Sequence, residues 1–291
     1  MKSVFTDVPI DRVRAFWDRR PCNLRHSPAP VGTRQYFDEV ERRKYFVEPH
    51  IVVFAGHGRW AGRRVLEIGC GIGTDTINFA RAGALVTAVD LSPRSLELAR
   101  KRAEVFGLQD RIRFVEADAE RLSETLEPSV YDLVYSFGVI HHSPHPARVL
   151  AEIRHHFVGP QSTLKIMVYH RRSWKVLSIL LRDAHGAFWH LDEAIARNSE
   201  AQTGSPVTYT YTRRSVRGLL ERHGFRVTGM FVDHIFPYRV DDYARYRYIR
   251  RFPFRWMPAP IMRALERRLG WHLCVTAEAA TDVSPQAGWN A

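Results

Sequence analysis

One stretch of the sequence, residues 65–90, constrains the fold of this 291-residue chain more than any other. It reads VLEIGCGIGTDTINFARAGALVTAVD: an apolar run that contains Glu67, a G-x-G-x-G turn that begins at Gly69, a helical pattern, and a second apolar run that ends at Asp90. A strand, a tight turn, a helix and a second strand in this order form a βαβ unit. Such a unit needs a parallel sheet whose faces are covered by helices.

The βαβ pattern is repeated along the chain. Ser92 and Pro93 can open a helix that ends at Gly107 and keeps its apolar residues on one face. Short apolar runs between helical stretches predict strands at residues 63–68, 85–90, 112–116, 131–137, 163–169, 225–232 and 271–277. We therefore expect an α/β fold with a Rossmann-like, seven-stranded, mostly parallel sheet and helices on both faces.

The remaining segments predict the domain organisation. We expect an N-terminal helical cap or lid at residues 1–62, an α/β domain at 63–278 with capping inserts at about 171–211 and 235–270, and a flexible tail at 279–291.

Composition excludes several other classes of protein. Hydrophobic residues make up 45% of the chain, which excludes a wholly disordered protein. Cys22, Cys70 and Cys274 are odd in number and far apart, so they predict no disulfide framework. Charged residues interrupt the N-terminus where a signal peptide needs an apolar core, and no apolar run approaches the roughly 20 residues that span a bilayer. We expect a soluble, cytoplasmic protein.

The residues of the glycine turn suit a cationic ligand. Gly69, Gly71 and Gly73 let the backbone turn tightly and approach a ligand closely. Glu67, two residues before the turn, would repel the pyrophosphate of a dinucleotide, whereas it would attract an ammonium group. Asp90 stands where an acidic side chain accepts hydrogen bonds from the hydroxyls of a ribose. The predicted ligand is an adenosine that carries positive charge.

On these motifs the chain resembles the class I S-adenosylmethionine-dependent methyltransferases. E-I-G-C-G-I-G, the acid Asp90, E-A-D-A around Asp118 and YDLVYSFGVIHHSPHP from Tyr131 match the motifs of that family from about Val65 to Tyr169. The resemblance implies S-adenosylmethionine as cofactor. It also implies that the cofactor contacts Glu67, Gly69, Cys70, Gly71, Gly73, Asp90, Leu91, Asp118, Ala119, Ser136 and Phe137.

Three histidines are candidate general bases. His141 and His142 follow the fourth predicted strand, and His170 follows the fifth, so all three are expected near the carboxyl edge of the sheet. Histidine titrates near neutral pH and can accept a proton from a hydroxyl or an amine. Packing is the alternative role for each ring. We predict no metal site at His141, His142 and His145, because Ser143-Pro144 breaks the helical spacing of ligands and no thiol or carboxylate is suitably spaced.

The acceptor is expected to contact segments outside the motifs. Candidate substrate contacts are Tyr36, Tyr169, Tyr209, Tyr211 and Arg213, each of which could equally pack in the interior. Residues 238–256 interleave six arginines with seven aromatic residues. This run can hold an anion or stack on a base, or it can form an amphipathic cap with solvated arginines.

We predict methyl transfer to an oxygen or nitrogen of a small-molecule acceptor, which could be an anion. The net charge of +12 keeps an RNA methyltransferase as the alternative, although the chain has Ser136-Phe137-Gly138-Val139 where base-methylating enzymes carry Asn or Asp, Pro, Pro and an aromatic residue. Intramolecular cyclisation of the cofactor is a further alternative. The sequence does not specify the oligomeric state.

Overall fold

In the computed structural model, residues 4–183, 188–202 and 204–280 are described. Eight strands form one sheet: β1 (Arg64–Ile68), β2 (Leu85–Asp90), β3 (Ile112–Glu116), β4 (Leu133–Phe137), β5 (Thr163–His170), β6 (Thr210–Tyr211), β7 (Phe225–Asp233) and β8 (His272–Ala279). The strand order is β3-β2-β1-β4-β5-β8-β7, and the short β6 pairs with β5 beside this path.

Helices cover both faces of the sheet, and three α-helices come before the first strand in the chain. The α-helices are α1 (Ile10–Arg19), α2 (Arg34–Val47), α3 (His50–Ala55), α4 (Thr74–Arg81), α5 (Pro93–Phe106), α6 (Pro146–Glu152), α7 (Trp174–Arg182), α8 (Leu191–Gln202), α9 (Arg213–Arg222), α10 (Val240–Ala244) and α11 (Ala259–Leu269). A π-helical turn at Ile153–Phe157 continues α6, and short 3-10 helices join several elements. Within the described residues, no helix is long and apolar enough to cross a membrane.

Strands β1 to β5 run parallel, whereas β8 runs antiparallel to both β5 and β7. The chain passes from β1 to β2 on one side and later returns to β4 on the other side of β1. The strand order therefore reverses between β1 and β4, which is where open α/β sheets bind ligands, beyond the carboxyl ends of the strands.

Alternating residues of the strands separate the core into two layers. In β1, Val65 packs on one face of the sheet and Leu66 on the other, and both are fully buried. In β4, Leu133 and Tyr135 join the layer of Val65, while Val134 joins that of Leu66. The apolar alternation that the sequence predicts thus holds the sheet between two layers of helices.

The predicted α/β class and the seven principal strands are confirmed, with small shifts of the strand ends. The predicted strands did not include β6, a two-residue strand that pairs with the end of β5. Ala279 ends β8 and pairs with Phe225, so it belongs to the sheet and not to a tail. Residues 281–291 of the predicted tail lie outside the described residues.

The N-terminal helix α2 is joined to the sheet domain by a buried guanidinium group. Arg102 of α5 has no exposed surface, and its guanidinium donates to the carboxylate of Glu41 in α2 at 2.8 Å and to Thr74 Oγ1 at 2.7 Å. Burial lowers the pKa of Arg102, and Glu41 opposes this shift. Removing α2 would leave this charge without its carboxylate partner, which is strongly unfavourable in the interior.

Gly73 sets how closely α4 approaches α5. It precedes α4 with φ +77°, and a Cβ at this position would lie 3.2 Å from the Cβ of Ala99 in α5. Gly107, which follows α5, has φ +67°, but a Cβ there would meet nothing within 4 Å. The two glycines therefore share a left-handed backbone and differ in the space around them.

We expect Gly73→Ala to destabilise the fold more than Gly107→Ala does. Both substitutions place alanine in the left-handed region at about 1–2 kcal/mol, whereas Gly73→Ala also overpacks a helix contact, for a total of about 2–4 kcal/mol. Urea unfolding of the two variants beside the wild type measures the difference. Equal losses of stability would contradict a close helix approach at Gly73.

Candidate functional site

A cavity of about 260 Å³ lies beyond the carboxyl ends of β1, β2 and β4. Its walls come from the glycine turn after β1, the ends of the neighbouring strands and the N-terminal segment. Residues of the N-terminal segment that line it are Ile10, Val13, Trp17, Cys22, Asn23, Lys44 and Glu48. Helix α1 therefore covers a cavity at the point where the strand order reverses.

The glycine turn is shaped by close contact on one side and open space on the other. A Cβ on Gly69 would lie 2.1 Å from Cγ2 of Val139, so no side chain fits there. A Cβ on Gly71 would meet nothing within 4 Å, and both glycines have positive φ. The backbone at Gly71 is thus accessible from the cavity, as a site that cradles a ligand requires.

The carboxylate of Asp90 holds the glycine turn against the end of β2. Its Oδ2 accepts a hydrogen bond from the Gly71 N–H at 2.7 Å, and its Oδ1 accepts one from the Ser92 N–H at 2.9 Å. Burial raises the pKa of Asp90, while these backbone hydrogen bonds oppose the shift. Asp90 therefore both orients the turn and lines the cavity.

Glu67 is a buried carboxyl group at the end of β1. Its side chain accepts a hydrogen bond from Thr76 Oγ1 at 2.5 Å, and only 4% of the residue is exposed. Burial, together with the negative charge of Asp75, raises the pKa of Glu67 to about 8. At neutral pH this carboxyl group is therefore largely protonated, and a cation placed beside it would favour its ionisation.

Asp75 carries the negative charge of this region because Lys44 lies next to it. Lys44 Nζ approaches Asp75 Oδ2 to 2.8 Å, and Tyr45 Oη donates to Asp75 Oδ1 at 2.6 Å. Burial alone would raise the pKa of Asp75, but Lys44 and His57 hold it well below its ordinary value. The N-terminal helix α2 thus supplies the cation that neutralises the floor of the cavity.

Most of the predicted cofactor contacts line this cavity together: Glu67, Gly69, Cys70, Gly71, Asp90, Leu91, Asp118, Ala119 and Phe137. Two predicted contacts do not. Gly73 lies at the contact of α4 with Ala99, and Ser136 is wholly buried inside β4. A G-x-G-x-G spacing does not reveal which glycine serves helix packing, and alternation along a strand turns Ser136 away from its neighbour Phe137.

Of the three predicted bases, only His142 lines the cavity. His141 is fully buried with its ring centroid 3.8 Å from that of Tyr169, and burial lowers its pKa well below the ordinary value. His170 is buried in β5 with its Nδ1 3.2 Å from the Gly270 carbonyl. The structure therefore places the rings of His141 and His170 in the packed interior around β5, outside the lining of this cavity.

Among the predicted substrate contacts, Tyr169 lines the cavity and the other four do not. Tyr36 is fully buried and donates to the Leu24 carbonyl, and Tyr209 donates to the Pro144 carbonyl. Tyr211 packs against the core beside β5, where burial raises its pKa, and exposed Arg213 donates to the Met230 carbonyl. These four residues therefore lie outside the cavity lining, and three of them, Tyr36, Tyr209 and Arg213, donate hydrogen bonds to backbone carbonyls.

A second cavity of about 340 Å³ adjoins the first. The two cavities share five lining residues: Asn23, Lys44, Glu48, Tyr169 and His272. The second one extends to α7 and to the arginine-rich segment, through residues such as Trp174, Lys175, Arg182, Tyr243 and Arg251. Sequence reasoning missed Lys44, Glu48 and His272, because no motif marks them and they approach the site only through the tertiary fold.

The arginine-rich run at 238–256 partly packs and partly faces solvent. The Arg43 guanidinium lies 3.9 Å from the ring centroid of Tyr243 and 4.4 Å from that of Tyr246, which joins α2 to this run. In contrast, Phe252 is 85% exposed and Trp256 is 77% exposed. The run therefore forms one wall of the second cavity and also presents aromatic rings to solvent.

The fold agrees with comparisons to known proteins. Residues 65–158 match the family model described as a methyltransferase domain. The ubiquinone biosynthesis O-methyltransferase of Nitrosococcus oceani is 39% identical over 95 residues, which are 33% of this chain and 39% of that protein. That of Paracidovorax citrulli is 40% identical over 89 residues, 31% of this chain and 37% of that protein. The chain thus spans less than half the length of these curated relatives.

A solved structure extends the similarity to nearly the whole chain. Magnesium protoporphyrin IX methyltransferase from Synechocystis PCC 6803, crystallised with SAH, has a TM-score of 0.57 and 16% identity, covering 94% of this chain and 100% of that one. The fold is that of a class I methyltransferase. The resemblance to class I methyltransferases is therefore confirmed at the level of the fold.

We expect Glu67→Gln to stabilise the methyltransferase fold increasingly as the pH rises from 5 to 8. The pKa of Glu67 is about 8 in the folded chain against an ordinary value of 4.5, so the folded state binds the extra proton in this range and rising pH favours unfolding. The slope approaches about 1.4 kcal/mol per pH unit at most, and glutamine removes it.

Urea unfolding at four pH values tests this expectation. At each pH the free energy of unfolding of the wild type is subtracted from that of the variant. This subtraction cancels the contributions of the buried histidines, which are present in both proteins. Glu97→Gln, at an exposed position of α5, is the matched control. A stability difference that stays constant from pH 5 to 8 would show that Glu67 is ionised in the folded protein.

Proposed function

We propose that the chain transfers a methyl group from S-adenosylmethionine to an oxygen or nitrogen of a small-molecule acceptor. The similarity to ubiquinone biosynthesis O-methyltransferases favours oxygen. The observation that carries the proposal is one cavity that contains two buried acidic side chains, Glu67 and Asp90, on either side of an accessible glycine backbone. This arrangement suits an adenosine that carries an ammonium and a sulfonium.

The residues present fit that cofactor. Glu67 would hold the ammonium group, since an adjacent cation stabilises the ionised form of a carboxyl whose pKa burial has raised. Asp90 would accept hydrogen bonds from the ribose hydroxyls, and Asp118 would lie by the adenine amino group. Phe137, Val139 and Trp17 give the cavity apolar walls.

The chain would contribute mainly position and exclusion of water. When bound, S-adenosylmethionine supplies a methyl group on a cationic sulfur that is already a good leaving group. Helix α1 covers the cavity with Ile10, Val13 and Trp17, and this cover would keep water from the reacting groups. Tyr169 and His272, which line both cavities, would position the acceptor for direct approach to the methyl group.

His142 is the residue that we propose as general base for a hydroxyl acceptor. Its Nδ1 lies 2.6 Å from the Val207 carbonyl, to which it donates a hydrogen bond. This bond assigns the proton to Nδ1, so Nε2 carries the lone pair that can accept a proton from the acceptor. The Trp17 ring, 5.0 Å away, restricts the orientation of the imidazole.

The second cavity favours an acceptor with negative charge. Its lining includes Lys175, Arg182 and Arg251 as well as Lys44, which is already paired with Asp75. The acidic lining residues are Glu48 and Asp183. An acceptor that carries a carboxylate or a phosphate would pair with the arginine forks.

Asp90→Ala is expected to weaken binding of S-adenosylmethionine at least tenfold, because it removes the ribose acceptor and releases the Gly71 N–H. Calorimetry measures the affinity, and mass spectrometry measures S-adenosylhomocysteine formed with a small-molecule cell extract. Asp110→Ala, at an exposed acid after α5, is the control and should behave as the wild type. Unchanged affinity in Asp90→Ala would contradict the proposed cofactor site.

The product distinguishes methyl transfer from other chemistry on this fold. Methyl transfer yields S-adenosylhomocysteine, whereas cyclisation of the methionine chain releases methylthioadenosine. Methylthioadenosine as the product, or no turnover with any extract fraction, would overturn the proposal.

We expect the compound in the extract that accepts the methyl group to bind to an anion-exchange resin and to remain a substrate after RNase treatment.

Arg182→Gln and Arg251→Gln should each raise the acceptor concentration needed for half-maximal rate by about tenfold, as expected for loss of roughly 1.4 kcal/mol of ion pairing. The affinity for S-adenosylmethionine should not change. Arg214→Gln, exposed on α9, is the matched control.

Acceptor activity in the unretained fraction would contradict an anionic acceptor, whereas activity lost on RNase treatment would indicate an RNA acceptor instead.

A further inference from the structure

Glu48, His234 and His272 converge on one point between the two cavities. Glu48 follows α2, His234 follows β7 and His272 begins β8. Glu48 Oε1 lies 3.7 Å from Nε2 of His234 and 3.7 Å from Nε2 of His272, and one ligand atom from each residue lies within 4.8 Å of the others. A carboxylate oxygen and two imidazole nitrogens thus face a common centre.

The local structure holds both imidazoles in place. His50 Nε2 lies 2.9 Å from His272 Nδ1, on the side of the ring opposite Glu48, and His50 Nδ1 lies 3.8 Å from Asp233 Oδ1. His234 has φ +72°, and its carbonyl accepts the Trp271 N–H at 2.7 Å. The rings of His234 and His272 are stacked with centroids 4.6 Å apart. A hydrogen-bonded partner behind a ligating histidine is typical of metal sites.

We propose that Glu48, His234 and His272 bind a divalent transition-metal ion, with His50 as the positioning residue of His272. Two histidines and one carboxylate form a common ligand set for zinc and for non-haem iron, and they leave coordination positions open. Metal–ligand distances of about 2.0–2.2 Å separate neighbouring ligand atoms by about 3.0–3.5 Å. The observed 3.7 Å separations therefore require small side-chain movements.

The charges around the cluster also suit a cation. Glu48 supplies a negatively charged ligand, and Asp233 lies behind His50.

The position of the site indicates what its open positions would bind. Glu48 and His272 line both cavities, and His234 lines the second. An oxygen atom of a ligand in the second cavity would therefore reach the ion. This step rests on the proposed function: the acceptor would be a molecule whose hydroxyl or carboxylate oxygen coordinates the metal. The metal site itself does not depend on methyl transfer.

Titration of tag-free, metal-stripped protein with Co²⁺, followed by visible absorption and equilibrium dialysis without S-adenosylmethionine, tests the site. We expect one tightly bound Co²⁺ per chain. Glu48→Gln and His234→Gln should each weaken Co²⁺ binding at least tenfold, and His50→Gln should weaken it 10- to 100-fold, as loss of a partner behind a ligand does. Glu221→Gln, exposed on α9, is the control.

Circular dichroism and thermal unfolding confirm that each variant is folded before it is titrated. If the folded Glu48→Gln and His234→Gln variants bind Co²⁺ like the control, the ion is held elsewhere and the proposal is overturned. The proposal is also overturned if the wild-type protein does not bind one Co²⁺ ion tightly per chain. Calorimetry with S-adenosylmethionine on the same preparation gives a separate result, so failure of the metal site is distinguishable from failure of the proposed methyl transfer.

Discussion

The carboxylate of Asp90 joins the ends of two adjacent strands, and the shape of the candidate site depends on this bond. The Gly71 N–H donates to one oxygen and the Ser92 N–H to the other. The N–H groups of Gly69 and Cys70 donate to the Val89 carbonyl just before it, at 2.7 and 3.0 Å. The turn is therefore held along its length by β2. The side chain of Val139 packs against the other side of the turn at Gly69, so a ligand can approach the turn from the cavity.

Buried charges extend this arrangement into the N-terminal segment. Lys44 of α2 neutralises Asp75 at the floor of the cavity, and Glu41 of the same helix neutralises Arg102 of α5. Removing one partner of such a pair costs about 3–5 kcal/mol, because the other charge is then buried alone. Helix α2 is thus an integral part of the domain. Within the predicted cap, the contacts that cover the cavity come from α1 and are largely apolar.

The two cavities meet at a wall of histidine and aromatic rings. Tyr169 stacks on Trp271 with ring centroids 4.1 Å apart. Trp271 precedes His272 in the chain, and Tyr169 pairs with His272 across β5 and β8. The antiparallel end of the sheet therefore brings side chains of β8 next to the carboxyl end of β5. A ligand in the second cavity would contact residues that the cofactor motifs do not include.

The sequence by itself determined the principal strands, the glycine turn, Glu67 and Asp90, because these features lie within one short stretch whose spacing directly reflects strand and helix periods. Asp118 and Phe137 came from the resemblance to the methyltransferase motifs, and the structure places both in the lining of the same cavity. Only the tertiary structure decided that Lys44, Glu48 and His272 line both cavities and that His234 lines the second, since they come from distant segments and no periodicity encodes their separation. The tertiary structure also buries His170 and half-buries Tyr211 beside it, because β6 pairs with β5.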